Sequence, residues 1–188
     1  VVVVHDHQSW LAVGSVQGGT NFTLINTTGN TPLTLDNVEG FKCEGIEISS
    51  VDSVYAISMT NVTGGIFFDK CNVNYADNPD LMVIDGTWNG LIQFNNCKID
   101  GFINSTGGVS PATSQIIINN CRPGDSNDLV IGLDSASLAT LYAFDCPTLR
   151  VFQNSGKVYL ANIPLIGNSN FLAPTGANNL LSIKRLYD

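Results

Sequence analysis

The chain has 188 residues and a mass of 20.1 kDa, a size that suits one domain with a substantial core. Hydrophobic residues make up 44% of it, which excludes a disordered chain, and no apolar run reaches the roughly 20 residues of a membrane helix. The net charge of −8 argues against a nucleic-acid partner. With 18 Gly and 21 Asn, the composition favours turns and short strands over long helices.

Residues 1–20 are predicted to form an N-terminal cap or a connection to a missing upstream domain. The apolar run Val1–Val4 has no basic region before it and no cleavage site after it, so it is not a signal peptide. The lack of an initiator Met indicates a fragment or a processed product. His5 and His7 would point the same way on a strand, but a polar terminal segment is the preferred interpretation. We therefore predict no metal site and no cofactor.

The five cysteines reveal an internal repeat of about 25 residues. Phe68–Cys71, Phe94–Cys97 and Ile118–Cys121 share one pattern, in which an apolar residue and two polar residues precede the Cys. In Phe41–Cys43 and Phe144–Cys146 this pattern is one residue shorter. Successive cysteines are 28, 26, 24 and 25 residues apart, at Cys43, Cys71, Cys97, Cys121 and Cys146.

Short apolar runs alternate with clusters of Asn, Gly, Ser, Asp and Thr, and each run is typical of a β-strand bounded by turns. No stretch keeps the 3.6-residue apolar period over three turns, so we expect little helix. The predicted strands are Phe22–Ile25, Leu33–Leu35, Gly45–Ile48, Tyr55–Met59, Gly65–Phe68, Leu91–Phe94, Gln115–Ile118, Leu141–Phe144, Leu149–Phe152 and Val158–Ile163.

A repeat of this length with two or three short strands predicts a solenoid whose rungs stack about 4.8 Å apart. Equivalent residues then lie above one another, so we expect the cysteines to form one internal ladder and the preceding Asn residues an amide ladder. An odd number of cysteines on one column leaves at least one thiol free. A reduced, buried ladder is preferred over disulfides between rungs, and it implies folding in a reducing cytoplasm. The spacing fits neither a zinc site nor a catalytic Cys.

These [Phe/Ile]-x-[Asn/Lys]-Cys rungs over residues 41–146, with Asn- and Gly-rich turns, resemble the right-handed parallel β-helix of bacteriophage tailspikes and pectate-lyase-like proteins. The odd, ladder-placed cysteines, the small size and the fragment-like start favour the phage proteins. The resemblance implies a homotrimer in the virion tail, made in the bacterial host cytoplasm and extracellular when acting. It also implies other virion tail proteins as partners through the missing N-terminal domain, whereas charge and hydropathy predict no nucleic acid and no membrane insertion.

Four aspartates are the weak candidates for polysaccharide cleavage, because glycoside hydrolysis usually needs two carboxylates about 5 to 9.5 Å apart. They come from two similar segments, Asp80–Asp85 and Asp128–Asp134, which lie two repeats apart. Stacking would place members of the set on one face, about 10 Å apart. The preferred alternative is ordinary turn chemistry beside a strand. The four residues are Asp80, Asp85, Asp128 and Asp134.

A sugar-binding surface is predicted around Trp88, which stands in a turn-rich stretch rather than in an apolar run. An exposed aromatic ring can stack on a sugar while short polar side chains bond its hydroxyls. We assign stacking to Trp88 and Tyr75, and hydrogen bonding to Asp85 and Asn89. The alternative is that these aromatic rings fold back over the core or are buried between subunits.

The 25-residue period fails after Cys146, because the runs at Leu149–Phe152 and Val158–Ile163 begin only nine residues apart. The chain ends in an amphipathic run with two basic residues, Leu180–Tyr187. We therefore predict β-helix rungs over residues 21–146 and a C-terminal closing or trimerisation region over residues 147–188.

Three functions remain open from the sequence. The preferred one is a phage tailspike or appendage module that binds a bacterial surface polysaccharide during host adsorption. The first alternative is a polysaccharide depolymerase, a hydrolase or lyase, on the same β-helix. The second is a purely structural shaft or tip of a virion fibre. The fold alone does not choose among them.

Overall fold

A computed structural model shows an all-β chain that winds into a solenoid of parallel strands. The described residues contain no helix, and so none that could cross a membrane. The structure describes residues 2–5, 9–13, 22–23, 31–50, 55–75, 80–99, 102–105, 109–123, 129–133, 138–147, 149–153, 156–163 and 180–184.

Short strands follow one another along the described ranges, separated by Asn- and Gly-containing turns. In chain order they are β1 Val2–His5, β2 Ser9–Val13, β3 Phe22–Thr23, β4 Leu33–Asp36, β5 Gly40–Glu44, β6 Ile46–Ser50, β7 Ile57–Thr60, β8 Thr63–Asp69, β9 Asn72–Tyr75, β10 Asp80–Asp85, β11 Asn89–Asn95, β12 Lys98–Ile99, β13 Phe102–Ser105, β14 Gln115–Asn119, β15 Arg122–Pro123, β16 Leu129–Leu133, β17 Thr140–Phe144, β18 Leu149–Gln153, β19 Lys157–Ala161 and β20 Leu180–Lys184.

The strands form three parallel sheets, and the chain visits the three sheets in the same order on each of its first five circuits. We call one circuit a rung. Rungs 1 to 5, from β1–β3 to β13–β15, each add one strand to the first, second and third sheets. Rungs 6 and 7, β16–β17 and β18–β19, have described strands in the first two sheets, and β20 extends the second sheet. The predicted all-β parallel β-helix is confirmed, while its right-handed coiling and its trimer stay predictions.

The rungs pair in register, so equivalent residues form columns along the solenoid axis. Leu33, Ile57 and Met82 form one column in the first sheet, and Ile66 pairs with Ile92 in the second. Because side chains alternate between the two faces of a strand, every second column points into the solenoid. These inward residues are buried. Burying each such side chain stabilises the fold by about 1.5–3 kcal/mol.

The chain changes direction at two corners of the rung, and at each corner one residue has a positive φ. The first corner joins the first sheet to the second, and Asn37, Asn61 and Gly86 occupy it. The second corner joins the second sheet to the third. Asn and Gly tolerate this left-handed conformation, which explains the Asn-rich composition. The second corner is occupied in successive rungs by Gly45, Lys70, Asn96, Asn120, Asp145 and Asn162.

The cysteine ladder has four members rather than the predicted five. Each of the four directly follows the second corner and is buried: Cys71, Cys97, Cys121 and Cys146. Cys43 instead pairs with Phe68 in the second sheet, ahead of the corner. The 28-residue gap explains the correction, because it exceeds the repeat and shifts Cys43 out of the column. The Cys43 and Cys71 sulfurs are still 3.7 Å apart, and all five cysteines are free.

The solenoid continues across residue 147, where we predict the C-terminal region to begin. Strand β18 pairs with β16 and β19 pairs with β17, all in parallel. Only residues 145–148 join β17 to β18, which leaves no space for a strand in the third sheet. The cross-section is therefore smaller in rung 6. A closing or trimerisation role for residues 147–188 stays a prediction.

Candidate functional site

A recessed polar surface follows the second corner. In four rungs the corner residue is followed by a buried Cys. In rungs 3 to 5 the side chain after the Cys points outward, because strand side chains alternate. These outward residues form a column in which Asn72 pairs with Lys98, and Lys98 pairs with Arg122. The corner residues form a second, parallel column of polar side chains.

A cavity of about 560 Å³ lies along these two columns and extends from rung 3 to rung 6. We call it the corner groove. Its described lining contains three cations and three amides but no carboxylate. The lining residues are Lys70, Cys71, Asn72, Asn96, Cys97, Lys98, Asn120, Arg122 and Pro147.

The amides of the corner column are held in place by one another. Asn120 Nδ2 donates a hydrogen bond of 2.8 Å to Asn96 Oδ1, and Asn96 Nδ2 donates one of 3.2 Å to Asp69 Oδ1. A side-chain amide has two N–H donors and an oxygen with two lone pairs. Each amide therefore keeps hydrogen-bonding capacity for a ligand after the ladder has formed. The predicted Asn ladder exists at this corner.

Asn72 contributes an acceptor with an unmet hydrogen-bonding requirement. Its Oδ1 atom is buried, and no described group donates a hydrogen bond to it. A buried polar atom without a partner costs about 1–3 kcal/mol, and most such atoms in proteins are satisfied. Because this atom is buried, a ligand in the corner groove cannot reach it in this conformation of the side chain, although Asn72 lines the groove.

The three cations of the corner groove differ in their surroundings. Lys70 lies 3.4 Å from Glu44 and 3.5 Å from Asp69, and the hydrogen bond to Glu44 is the main reason that the pKa of Lys70 is raised. Lys98 and Arg122 are neighbours in register, about one strand spacing apart. Arg122 is exposed, and its guanidinium has no salt bridge to a described carboxylate.

Two of the thiols that follow the second corner, those of Cys97 and Cys146, are neutral near pH 7 because their pKa values are raised. Cys97 is 1% exposed, and its Sγ donates to the carbonyl of Asn95 at 3.2 Å. Hydrogen bonds from Cys121 and Cys71, together with burial, raise the pKa of Cys97. Burial also raises the pKa of Cys146 to about 12. Because the thiolate is the nucleophile and metal ligand, these thiols do neither kind of chemistry near pH 7.

The prediction of an exposed Trp88 is wrong, because its side chain is 1% exposed. Trp88 directly precedes Asn89, whose N–H donates to the carbonyl of Val62, so it continues the inward column of Val38 and Val62. The column fills the interior at the first corner, and the large ring takes the place that Val has in earlier rungs. No sugar can stack on a ring in this position.

Two of the other predicted site residues, Asp85 and Asn89, are exposed near the first corner. Asp85 is exposed, and its Oδ1 accepts a 2.7 Å hydrogen bond from the N–H of Gly86, which is turn chemistry. Asn89 is exposed, and its Oδ1 accepts a 3.5 Å hydrogen bond from Ser114. Tyr75 ends β9, and its side chain lies outside the described part of the structure.

The predicted carboxylate set is described only in part. Asp80 and Asp85 begin and end β10, so their backbones are about 16 Å apart by the rise of a strand. That separation exceeds the distance of about 9.5 Å at which two carboxylates cleave a glycosidic bond. Asp128 and Asp134 lie outside the described residues. Among the described residues, no three His, Cys, Asp or Glu side chains group into a metal site.

Aromatic side chains also lie outside the solenoid, on the outer face of the second sheet. Tyr142 stacks on Tyr159 with ring centroids 5.0 Å apart and an angle of 11° between the rings. Their column also contains Ile117 and Ser182, which pair with these residues in the neighbouring strands. Because the rings stack face to face along the solenoid axis, mainly their edges face outward. This face is therefore a poor platform for sugar rings.

The sequence contains a signal for the corner groove that we did not assign to a site. Lys98 and Arg122 each follow a ladder Cys, and Asn96 and Asn120 each precede one. With the period known, this spacing places amides and cations on adjacent outward columns. No protein-family model, curated protein or solved structure matches this chain, so the groove itself is the basis for a functional proposal.

Proposed function

We propose that the chain is a polysaccharide-binding module of a phage tailspike or tail appendage, and that it contacts the bacterial surface through the corner groove. The observation that supports this proposal is the repetition of polar side chains in register along the groove. Each rung presents a similar set about 4.8 Å from the last. A polymer with repeating units suits a binding surface that repeats in the same direction.

The groove chemistry favours sugars over apolar ligands. Asn72, Asn96 and Asn120 offer donors and acceptors from three successive rungs. Sugar hydroxyls both donate and accept hydrogen bonds, so they can pair with the amides that line the groove. The amide ladder fixes the corner side chains before binding, which lowers the entropy lost when a ligand is bound.

Binding is better supported than cleavage. A hydrolase of the usual kind needs a carboxylate pair, and the nine described residues that line the corner groove include no Asp or Glu. The thiols of Cys97 and Cys121 donate hydrogen bonds to backbone carbonyls.

The placement in a phage virion is part of the same proposal and rests on the resemblance of the repeats to tailspikes. Five free, buried cysteines fit a protein that folds in the reducing cytoplasm of a bacterial host and acts outside it. A homotrimer would present three grooves to one surface. Linked weak sites bind a polymeric surface far more tightly than a single site, because later contacts are intramolecular.

The experiment is an array of bacterial surface polysaccharides probed with the wild-type chain and two variants. Asn72→Val removes an amide that lines the groove and keeps a side chain suited to a strand. Gln93→Val is the matched control, because Gln93 is a half-buried amide on the outer face of the second sheet. We expect Asn72→Val to weaken binding about five-fold, the equivalent of about 1 kcal/mol, while Gln93→Val binds like wild type.

Two results would overturn this proposal. One is that no polysaccharide on the array binds the wild-type chain. The other is that a polysaccharide binds, but Asn72→Val and Gln93→Val affect it equally. Thermal unfolding of each variant shows that the fold is intact before binding is compared.

A further inference from the structure

We infer that Cys43 and Cys71 are a redox pair, and that a hydroperoxide converts them into a disulfide between rungs 2 and 3. The pair is reduced while the chain folds and becomes oxidised once the protein has left a reducing compartment. This inference goes beyond the proposed function and does not depend on polysaccharide binding. It depends on the one place where the column of cysteines is irregular.

The two sulfurs of this pair are in contact inside the solenoid. Cys71 Sγ lies 3.7 Å from Cys43 Sγ, and it donates a hydrogen bond of 3.4 Å to the carbonyl oxygen of Cys43. A disulfide bond is about 2.05 Å long, so the sulfurs must approach each other by less than about 2 Å. Strands β5 and β8 are already hydrogen-bonded neighbours, so their backbones do not have to come together from a distance.

The regular part of the cysteine column is less suited to disulfides. Cys71, Cys97 and Cys121 precede residues that pair in register, so their equivalent atoms are about 4.8 Å apart. The Cβ atoms of a disulfide are only about 3.5–4.5 Å apart. Stacking therefore keeps the ladder cysteines parallel and slightly too far from one another. Cys43 is displaced from the column, and its sulfur contacts that of Cys71.

Cys71 is the member of the pair that a small solute can reach. Its side chain is 2% exposed and lines the corner groove, whereas Cys43 is fully buried. Hydrogen peroxide is small enough to enter a cavity of about 560 Å³ that is open to water. We therefore assign the first oxidation step to Cys71 and the second to Cys43.

The contact between the two thiols also makes Cys71 the one that ionises first. When Cys71 is a thiolate, the Cys43 thiol can donate a hydrogen bond to its sulfur. This hydrogen bond lowers the pKa of Cys71 and raises the pKa of Cys43. The thiolate is the form that attacks a peroxide, so Cys71 reacts first while Cys43 keeps its proton.

The oxidation takes place in two steps. In the first, the Cys71 thiolate attacks one oxygen of hydrogen peroxide, the O–O bond breaks, hydroxide leaves, and Cys71 becomes a sulfenic acid. In the second, the Cys43 sulfur attacks Cys71 Sγ, the S–O bond breaks, and the oxygen leaves as water with the proton of Cys43. The hydroxide takes up the proton that Cys71 lost. The two thiols lose two electrons to the peroxide, and the products are one disulfide and two waters.

The test oxidises the folded chain and locates the bond. Fully reduced protein is treated with hydrogen peroxide, its remaining thiols are alkylated in denaturant without reductant, and disulfides are mapped by mass spectrometry of non-reduced peptides. Cys43→Ala and Cys71→Ala each remove one member of the pair. Cys121→Ala is the matched control, because Cys121 is a buried cysteine of the ladder outside the pair.

We expect wild type and Cys121→Ala each to lose two hydrogen atoms and to yield one linked peptide pair, Cys43 with Cys71. Neither Cys43→Ala nor Cys71→Ala should form a disulfide. Cys43→Ala should instead accumulate Cys71 sulfenic acid, which dimedone traps, because no second thiol reacts with it.

The disulfide should also stabilise the solenoid, because it links residues 28 apart and so lowers the entropy of the unfolded chain. Oxidation should raise the midpoint of thermal unfolding of wild type by about 5–10 °C, and a reductant should reverse the rise. Oxidation of Cys43→Ala should produce no such rise.

Several results would overturn the inference. Peroxide-treated wild type with all five thiols free, with Cys71 sulfinic acid and no disulfide, or with Cys71 joined to Cys97 would each do so. An undiminished disulfide yield in Cys43→Ala would do so as well. The first three are measured on wild type, so they decide the matter even where an alanine variant does not fold. None of them bears on polysaccharide binding, so the proposed function is tested separately.

Discussion

The two corners of the rung are built by the same device but serve different purposes. Each turns through one residue with positive φ, such as Asn61 at the first corner and Asn120 at the second. Each then buries the first or second residue that follows. At the first corner the buried residue is as large as Trp88, whereas at the second it is a small Cys in four rungs.

The surface outside the first corner is closely packed, whereas the surface outside the second corner is open. After the first corner the backbones of neighbouring rungs lie close together, and a Cβ on Gly90 would collide with the carbonyl oxygen of Gly64. After the second corner, long polar side chains project beside a cavity of about 560 Å³. The distance of a residue from its corner therefore decides whether it faces the core or the corner groove, and residue type alone does not.

Replacing Trp88 by Ala should produce the largest loss of stability. This variant tests whether the residue after the first corner is a core residue. Truncation of a fully buried Trp typically costs about 3–5 kcal/mol of unfolding free energy, because a cavity remains. We expect a marked drop in the midpoint of thermal or denaturant unfolding, with polysaccharide binding retained under conditions where the variant is folded. Asn89→Ala, at the exposed neighbouring position, should change stability by less than about 0.5 kcal/mol.

A Trp88→Ala protein with wild-type stability and lost binding would contradict this comparison. It would return Trp88 to the sugar-stacking role that its turn-rich surroundings suggest.

Replacing Asn120 should produce a smaller effect at the second corner, and two variants separate its causes. Asn120→Ala must hold a Cβ residue at a φ of 49° and also loses the 2.8 Å bond to Asn96, whereas Asn120→Gly loses only the bond. We expect Asn120→Ala to be the less stable of the two by about 1 kcal/mol in chemical denaturation. Both should bind polysaccharide more weakly than wild type, because both lose the groove amide.

Equal stability of these two variants would show that the left-handed turn is not what selects Asn at the second corner. Unchanged binding in both would remove the amide ladder from the proposed site.

Much of the fold could be predicted from the sequence because solenoid physics is repetitive. Regular spacing of Cys71, Cys97, Cys121 and Cys146 is sufficient to define the rung, and the Asn or Asp before three of them marks the corner. Once the period is known, register and burial follow from alternation along each strand. No long-range contact outside the repeat had to be inferred.

The candidate site could be predicted less well because its position depends on one-residue offsets. Cys43 was assigned to the ladder by its residue type, although the 28-residue gap moves it ahead of the corner. Trp88 was assigned to the surface by its polar neighbours, although it is in register with Val62 in the core. A shift of one residue along a strand reverses the face on which a side chain lies.

The most direct test of the central claim is a crystal structure of the chain with the tightest-binding oligosaccharide found on the array. We predict that the sugar lies in the corner groove, with polar contacts to Asn72, Lys98 and Arg122 across rungs 3 to 5. A sugar bound instead beside Asp85 and Asn89 at the first corner, or on the outer face of the second sheet, would contradict this account.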